Sequence, residues 1–341
     1  MLSRHRFYTV IIALLFISCE SDDRQADISA IEQQVQFLNL KDSLAQTDFT
    51  QQEEEYQRLY QSFGNFWTNY TEDILRIGSG RESSTLNQIE QFLTFPDIKA
   101  SDEGITEIYG TSLSTYTKSI DLGFRRYHYF FPNDRLPDVV FMNSGHNFAV
   151  FPSEAHLGIG LEFFLGKDHF ISSTLDPQMF PQYMRNKMEP RLLVPDALRG
   201  WLLVRFQDDY YHEENLISNL MYWGKVMYLL ERMLPEVDKE NLMDYSKEEL
   251  AWCESHERSL WVEFSQQDVL YETRRFEINR WIVDGPFTRV DGLPQETPSR
   301  IGVWIAWQIA NDYMKRNPDK TIQQLFEDEN YLAMLNAYRP N

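Results

Sequence analysis

The amino-acid sequence predicts an α+β fold that is predominantly helical and contains a small β-sheet near the middle of the chain. Apolar residues recur three and four positions apart over long stretches, which is the spacing of a buried helix face. Three short β-prone segments follow one another between residues 137 and 166. Hydrophobic residues make up 43% of the 341 residues and charged residues 25%, which is typical of a folded protein rather than a disordered one.

Helices dominate the front of the chain. The spacing of apolar residues predicts helices over residues 28–44, 49–75 and 113–127. Another helix is predicted to begin at Ser84 and to close near Pro96, because a proline ends most helical patterns. These segments together predict a small helical array.

The middle of the chain predicts the sheet. Residues 137–142, 147–151 and 158–166 are short, apolar and β-prone, and the first two are separated by the turn sequence Asn143-Ser144-Gly145. His146 follows this turn and is a candidate ligand. We interpret it as a residue that hydrogen-bonds the loop, since buried polar groups in loops usually find such partners.

Helices return in the back half of the chain. Residues 213–234 and 299–314 have the spacing of long buried helices, and a Pro- and Gly-rich loop is predicted over residues 282–298. Capping boxes, in which a serine or threonine is followed three positions later by Glu or Gln, mark two further helix starts. They are Ser246 with Glu249, in front of a helix that runs to Phe264, and Thr321 with Gln324.

The N-terminus has the pattern of an export signal. Arg4 and Arg6 precede an apolar run, and the small residue Ser18 precedes Cys19. The run is too short to span a bilayer, which takes about 20 apolar residues. The sequence from Phe16 to Cys19 resembles the lipobox of bacterial lipoproteins, in which the cysteine is acylated and becomes the first mature residue. The alternatives are an ordinary signal peptide and an uncleaved anchor.

This pattern divides the chain into three parts. Residues 1–18 are predicted to be a lipoprotein signal peptide, and residues 19–27 to be the acylated Cys19 with an acidic tether. Residues 28–341 are predicted to form a single domain, because no polar linker divides them. We expect the body to be lipid-anchored in the cell envelope, facing the periplasm or exposed at the surface.

The charge excludes one class of function. The chain has 32 Lys and Arg against 52 Asp and Glu, a net charge of −20. Nucleic-acid binding requires a basic face that displaces counterions from phosphate. The stretch 125–131 mixes arginines with aromatic residues, as single-strand binders do, but the overall charge and the export signal argue against that role. We interpret that stretch as a helix end packed into the core.

Three segments in a fixed order carry a resemblance to a known family. Leu157–Gly166, Asn219–Lys225 and Pro298–Ile309, behind the lipobox, resemble the gliding motility lipoprotein GldB of the Bacteroidota. The family implies a cell-envelope lipoprotein that is required for gliding and linked to the type IX secretion apparatus, whose proteins are then the expected partners. The order of elements is also distantly similar to zincin-type predicted peptidases, which implies a zincin-like fold.

The zinc motif of such peptidases is absent from the sequence. A zincin needs His-Glu-x-x-His on one helix, so that both histidines bind zinc on the same face. Residues 218–225, in the matching place, contain no His and no Glu. The pairs His212-Glu213 and His256-Glu257 have leucine where the second histidine belongs. We therefore predict no metal, no cofactor and no catalytic residue, and a protein that is not an enzyme.

Other candidate groups have structural interpretations. Cys253 lies three residues from His256 and is interpreted as a small buried apolar residue rather than a catalytic thiol. Adjacent carboxylates resemble the acid and base of glycosidases, but pairs at helix starts usually stabilise the helix dipole. These pairs are Asp208-Asp209, Glu213-Glu214 and Glu248-Glu249.

Two functional hypotheses follow. The first is a non-enzymatic, lipid-anchored docking or scaffolding component of the gliding and secretion machinery. The second is a lipid-anchored hydrolase or glycan-binding protein that acts on peptidoglycan or surface polysaccharide through carboxylates outside any known motif.

Overall fold

A computed structural model describes residues 26–33, 35–207, 215–265, 267–288, 294 and 296–340. The strands are β1 (Phe37–Asn39), β2 (Asp138–Met142), β3 (Val150–Pro152) and β4 (His156–Gly160). The helices of the front half are α1 (Leu40–Ala45), α2 (Gln52–Phe63), α3 (Asn65–Asn69), α4 (Thr85–Thr94), α5 (Pro96–Tyr109) and α6 (Leu113–Phe130). Those of the back half are α7 (Phe170–Thr174), α8 (Gln182–Arg185), α9 (Leu193–Arg205), α10 (Leu216–Met233), α11 (Lys239–Met243), α12 (Lys247–Phe264), α13 (Gln267–Leu270), α14 (Arg275–Ile282), α15 (Ile301–Arg316), α16 (Ile322–Glu327) and α17 (Tyr331–Ala337). The predominantly helical α+β class is confirmed. Within the described ranges, no helix combines the length and the apolar character needed to cross a membrane.

The sheet has the strand order β1-β2-β4-β3. β1, β2 and β4 are parallel, and β3 runs antiparallel to β4 at the edge. Successive side chains of a strand point to opposite faces of the sheet, so the central strand β2 contributes side chains to two hydrophobic cores. Val139 and Phe141 face the large helical core, whereas Val140 and Met142 face a smaller core formed with the helices α1 to α4.

The large core is centred on helices α10 and α15, which make the most extensive helix–helix contact of the described chain. Both helices are buried along most of their length. They approach closely at Gly224, where an added Cβ would lie 2.4 Å from the backbone oxygen of Ala306. The glycine at this position therefore permits direct contact between the two helix backbones.

Several predicted elements are confirmed. The helix predicted over residues 113–127 is α6, and the strand predicted over residues 137–142 is β2. Both capping boxes begin helices as predicted, α12 and α16. The long helices predicted over residues 213–234 and 299–314 are α10 and α15, with slightly different ends.

The helix predicted over residues 28–44 is wrong. Phe37–Asn39 is a strand that pairs in parallel with Val139–Phe141, and only residues 40–45 are helical. Strand pairing with a segment 102 positions away outweighs local helical spacing, because sheet preference depends on tertiary context. The helix predicted over residues 49–75 is interrupted at Gly64, whose φ is +53°, a conformation that glycine adopts readily.

The helix predicted to begin at Ser84 and to close near Pro96 is confirmed as α4, and Pro96 itself begins α5, because a proline fits the first turn of a helix, where no N–H donor is needed. The boundaries of two predicted strands differ from the prediction. The third predicted strand ends at Gly160 and continues as a 3₁₀ turn over Leu161–Phe164. The second predicted strand begins only at Val150.

Candidate functional site

A cleft of about 570 Å³ opens between the segment around α8, the α11–α12 connection and the loop after α14. Its lining residues come from the back half of the chain. Its wall is polar and carries both signs of charge. The charged and hydrogen-bonding side chains that line it include Lys167, Tyr183, Lys187, Arg191, Asp244 and Ser299.

A buried ion network lies under the cleft. Arg199, on α9, binds the carboxylate of Asp244 through both of its terminal nitrogens, at 3.0 and 2.7 Å. The same guanidinium lies 2.7 Å from Asp196, one helical turn earlier. It also donates to the backbone carbonyl of Leu242, at 2.9 Å. α9 is thereby fastened to the end of α11, because paired guanidinium–carboxylate bonds fix orientation as well as distance.

The network continues across the cleft floor. Arg300, just before α15, lies 2.9 Å from Asp244 and donates to the carbonyl of Met243. Its Nε is 3.7 Å from Asp284, which also receives a hydrogen bond from Lys187 at 2.5 Å and another from the Ser299 hydroxyl at 2.9 Å. One chain of alternating charges therefore connects four segments that surround the cleft.

The backbone at two of these residues is left-handed. Asp244 has φ +53° and Arg300 has φ +55°, and neither is a glycine. Such conformations cost free energy and persist where surrounding contacts hold them. The Tyr245 hydroxyl adds a hydrogen bond of 2.6 Å to the Ser299 carbonyl and so links the neighbours of the two strained residues.

The ion network shifts the pKa values of ionisable side chains that line the cleft. Burial alone would raise the pKa of the Asp244 carboxyl, but Arg199 and Arg300 bring that pKa well below its usual value. Burial and the nearby charge of Arg300 lower the pKa of Lys187, an effect that Asp284 partly offsets. Asp244 is thus held as a carboxylate that is already neutralised within the protein.

Two of the three carboxylates that line the cleft are held by contacts within the protein. The Asp244 carboxylate is taken up by two guanidiniums, and Glu249 accepts a hydrogen bond from the Ser246 backbone in the capping box of α12. A catalytic acid or base must instead exchange protons with a substrate near the working pH. The cleft can offer the cations Lys167 and Arg191 and several hydrogen-bonding groups to a polar partner.

A second polar cluster lies at the carboxyl ends of β2 and β4. Glu162 is fully buried and accepts hydrogen bonds from the Ser144 backbone at 2.9 Å, the Ser144 hydroxyl and the His146 backbone at 3.1 Å. Burial raises the pKa of its carboxyl to about 7, although these hydrogen bonds oppose the shift. Glu162 therefore holds the turn that follows β2.

His146 differs in detail from its interpretation. Its backbone N–H donates a hydrogen bond to the Glu162 carboxylate, outside the loop. The ring packs against Phe163 and Phe180, and its Nε2 is buried without a partner. Burial lowers the pKa of the ring to about 4, so the imidazole is neutral at physiological pH. The residue has φ +60°, a further left-handed position in this turn.

The thiol of Cys253 is buried, as its interpretation predicts. Burial raises its pKa, which disfavours the nucleophilic thiolate. The Nδ1 atom of His256 lies 2.8 Å from the carbonyl of Trp252, and the two rings stack at 4.2 Å. His256 is therefore engaged within its own helix.

Some of the remaining candidate residues lie within the described structure, and the others lie outside it. Glu249 caps α12, so the interpretation of the pair Glu248-Glu249 as a helix-start feature is confirmed for that residue. Arg126 donates to the Met233 carbonyl and to Glu236, as expected of a helix end that packs against the core. Cys19, the pair Asp208-Asp209 and residues 212–214 lie outside the described residues. Among the residues that the structure does describe, no group of three or more His, Cys, Asp or Glu is placed to hold a metal ion.

The amino-acid sequence does not predict the ion network. Asp244 and Arg300 are 56 positions apart, and single charged residues carry no periodic pattern that would pair them. The one available signal was the placement of Arg199 and Arg300 beside strongly apolar helix faces, where a charged side chain requires a partner.

Comparison with known protein families gives a match over nearly the whole chain. The family model described as gliding motility protein GldB matches residues 21–340, which is nearly the whole chain. No curated protein and no solved structure matches this chain. The zincin-like part of the fold prediction accordingly stays a prediction.

Proposed function

The chain belongs to the gliding motility protein GldB family, and from this we propose that it is a lipid-anchored, non-enzymatic docking component of the gliding machinery. In this proposal Cys19 carries the lipid, and the body binds envelope proteins of the gliding and type IX secretion apparatus. The observation that carries the proposal is the family match, which extends over residues 21–340 and so begins two positions after Cys19.

The geometry of the cleft supports docking in preference to catalysis. Docking surfaces need a fixed shape, and the ion network joins the segments around the cleft into one rigid wall. Of the three carboxylates that line the cleft, two are held within the protein, Asp244 by two guanidiniums and Glu249 by the capping box of α12, and the third is Glu189. A polar cleft with such a wall is suited to recognising a partner.

The glycan-binding alternative rests on a different groove. A space of about 370 Å³ is lined by Trp252, His256 and Val262 on α12, together with Pro294. Aromatic rings at a groove can pack against the apolar faces of a sugar ring, much as they pack against other rings. This observation supports glycan binding as the second candidate function, without a carboxylate pair to cut the glycan.

Deletion and complementation test the proposal. Cells without the gene should lose spreading over a surface, and the full-length chain should restore it. A fragment from Glu20 to Asn341 should neither bind stoichiometric zinc nor cleave peptides or wall glycan. Normal gliding of the deletion strain would contradict a role in gliding, and cleavage by the fragment would contradict the non-enzymatic role. Saturable glycan binding without cleavage would favour the second candidate.

A further inference from the structure

The first described residues of the chain lie along one face of α6. The Arg125 guanidinium donates a hydrogen bond of 2.8 Å to the backbone carbonyl of Ile28. Ala26, two residues earlier, packs against the large core. Arg125 also lies 3.9 Å from Asp121, one helical turn before it. The start of the body therefore has a fixed place on the surface of α6.

The segment then reaches the edge of the sheet at which the parallel strands begin. The backbone N–H of Gln36 donates to the carboxylate of Asp138, the first residue of β2, at 3.3 Å. β1 and β4 run parallel to β2, so their first residues, Phe37 and His156, lie at the same edge. We call this the amino edge of the sheet. The Glu162 cluster lies at the opposite edge, where β2 and β4 end.

The length of chain between Cys19 and this segment restricts which side of the body can meet a membrane. Seven peptide steps join Cys19 to Ala26, and a fully extended chain of that length spans at most about 25 Å. A compact domain of this size has a radius of gyration of about 20 Å and is about 50 Å across. If Cys19 carries the lipid, the side of the body at Ala26 must therefore lie within about half a body diameter of the bilayer.

The charge of this part of the protein is close to balanced. Residues 26–36 and 113–138 contain four Lys and Arg against five Asp and Glu, in a chain whose net charge is −20. Nearly all of the negative charge therefore belongs to other parts of the chain. An acidic body that is held close to an anionic lipid surface has a low electrostatic energy when a side with little net charge faces that surface.

An exposed tyrosine and an exposed arginine lie beside the segment. Tyr129 is 45% exposed and follows Arg125 by four positions, which places it one turn further along the same face of α6. Tyrosine is favoured at bilayer interfaces because its ring is apolar and its hydroxyl group is polar. Arg135 is exposed in the loop that leads to β2, and a basic residue at this position is attracted by anionic lipid headgroups.

We propose that the amino edge of the sheet and the last turns of α6 form the surface with which the body rests on the lipid bilayer. The Tyr129 ring enters the headgroup layer, and the Arg135 guanidinium contacts headgroup phosphates. The carboxyl ends of β2 and β4 then point away from the bilayer, which leaves that end of the sheet accessible to other envelope proteins. This inference rests on the proposed acylation of Cys19 and adds the surface that meets the membrane.

Photo-crosslinking of the acylated full-length chain tests this orientation. The chain carries p-benzoylphenylalanine in place of Tyr129 and is reconstituted into vesicles of phosphatidylethanolamine and phosphatidylglycerol. The matched control carries the same group in place of Phe95, an aromatic residue that is 59% exposed. Phe95 lies between Phe92 and Ile98, which pack against Gly145 in the turn after the carboxyl end of β2. We expect phospholipid adducts from position 129 and none above background from position 95.

Charge reversal at the amino edge tests the contact with headgroups. Arg135→Glu should lower the yield of phospholipid adducts from position 129 at least about fivefold, because an attraction to anionic headgroups becomes a repulsion. Arg258→Glu makes the same change at an exposed site on α12 and should leave the yield unchanged. Both arginines are at the surface, so both variants should fold.

Three results would overturn the inference. One is a yield of lipid adducts from position 95 that equals or exceeds the yield from position 129. Another is the absence of lipid adducts from position 129, or their replacement by adducts with a second copy of this chain. The third is a yield that Arg135→Glu does not change. Labelling with a radioactive fatty acid separates these failures from a failure of the anchor. An acylated chain without lipid adducts at position 129 would leave the lipid-anchored docking function standing, whereas a chain without an acyl group would refute both.

Discussion

The carboxylate of Asp244 lies 2.9 Å from the guanidinium of Arg300, and both residues have a left-handed backbone. Each such conformation costs about 1–2 kcal/mol for a residue other than glycine. The contact between these two residues therefore stabilises two turns with unfavourable backbone conformations, one before α12 and one before α15. Because these turns border the cleft, the shape of the candidate docking surface depends on this contact.

Removing the charge of Asp244 should destabilise the fold. Asp244→Asn keeps the size of the side chain and its tolerance of a left-handed backbone, but it leaves Arg199 and Arg300 buried beside a neutral group. Breaking a buried ion pair in this way costs about 3–5 kcal/mol. Urea unfolding of the variant should show this loss. Asp73→Asn, at an exposed site, should change the free energy of unfolding by less than about 0.5 kcal/mol. Equal stability of the two variants would contradict the structural role of the network.

Glu162 should make stability depend on pH. Burial raises its pKa from 4.5 to about 7, so folding favours the protonated carboxyl. The stabilisation from this group is full below the unfolded pKa and is lost as pH rises through 7. From pH 5 to pH 8 it should remove about 2–3 kcal/mol from the free energy of unfolding.

Glu162→Gln tests this dependence, because the amide does not titrate. Denaturation of the wild type and the variant at both pH values should show a smaller fall for the variant. Glu90→Gln, at an exposed position on α4, is the matched control and should keep the dependence of the wild type. A variant at position 162 with the full dependence would show that another group is responsible.

The contact between α10 and α15 should not tolerate a side chain at Gly224. An added Cβ would lie 2.4 Å from the Ala306 carbonyl oxygen, so the two helices must move apart. Overpacking of this kind costs about 1–3 kcal/mol. Thermal unfolding should show a lower midpoint for Gly224→Ala. Gly285→Ala, where the nearest atom would be 3.8 Å away, should melt like the wild type, and the same midpoint for both variants would argue against backbone contact at this crossing.

The two cysteines should differ in their effect on localisation. Cys19→Ala should release the chain from the membrane fraction and abolish labelling by a radioactive fatty acid, because Cys19 is the predicted site of acylation. Cys253→Ala should stay in the membrane fraction, since that thiol is buried in the core. Fractionation of cells that express each variant measures both. Membrane retention of an unlabelled Cys19→Ala chain would point to an uncleaved anchor instead.

The sequence predicts best the features that depend on neighbouring residues. Ser246 and Glu249 form their capping box within one turn, so the pattern alone predicted the start of α12. Phe37 belongs to a strand because it pairs with Val139, and the residues next to Phe37 in the sequence do not indicate this pairing. Pro96 illustrates an ambiguous local signal, because proline is compatible both with a helix end and with a first turn.

The candidate site was less predictable than the fold. Arg300 fell within the predicted helix 299–314, and nothing near it indicated that its side chain pairs with Asp244. The cleft arises where four segments that are distant in sequence come together. The likeness to GldB and the missing zinc motif were readable from the sequence, whereas the surface that a partner would use required the arrangement of side chains.

Mild cross-linking in intact gliding cells, followed by purification of the full-length chain and identification of what it holds, tests the central claim most directly. The docking account predicts recovery of proteins of the gliding or type IX secretion machinery in amounts comparable with the chain itself. Recovery of wall glycan alone, or of no partner, would contradict the docking account and favour the glycan-directed alternative.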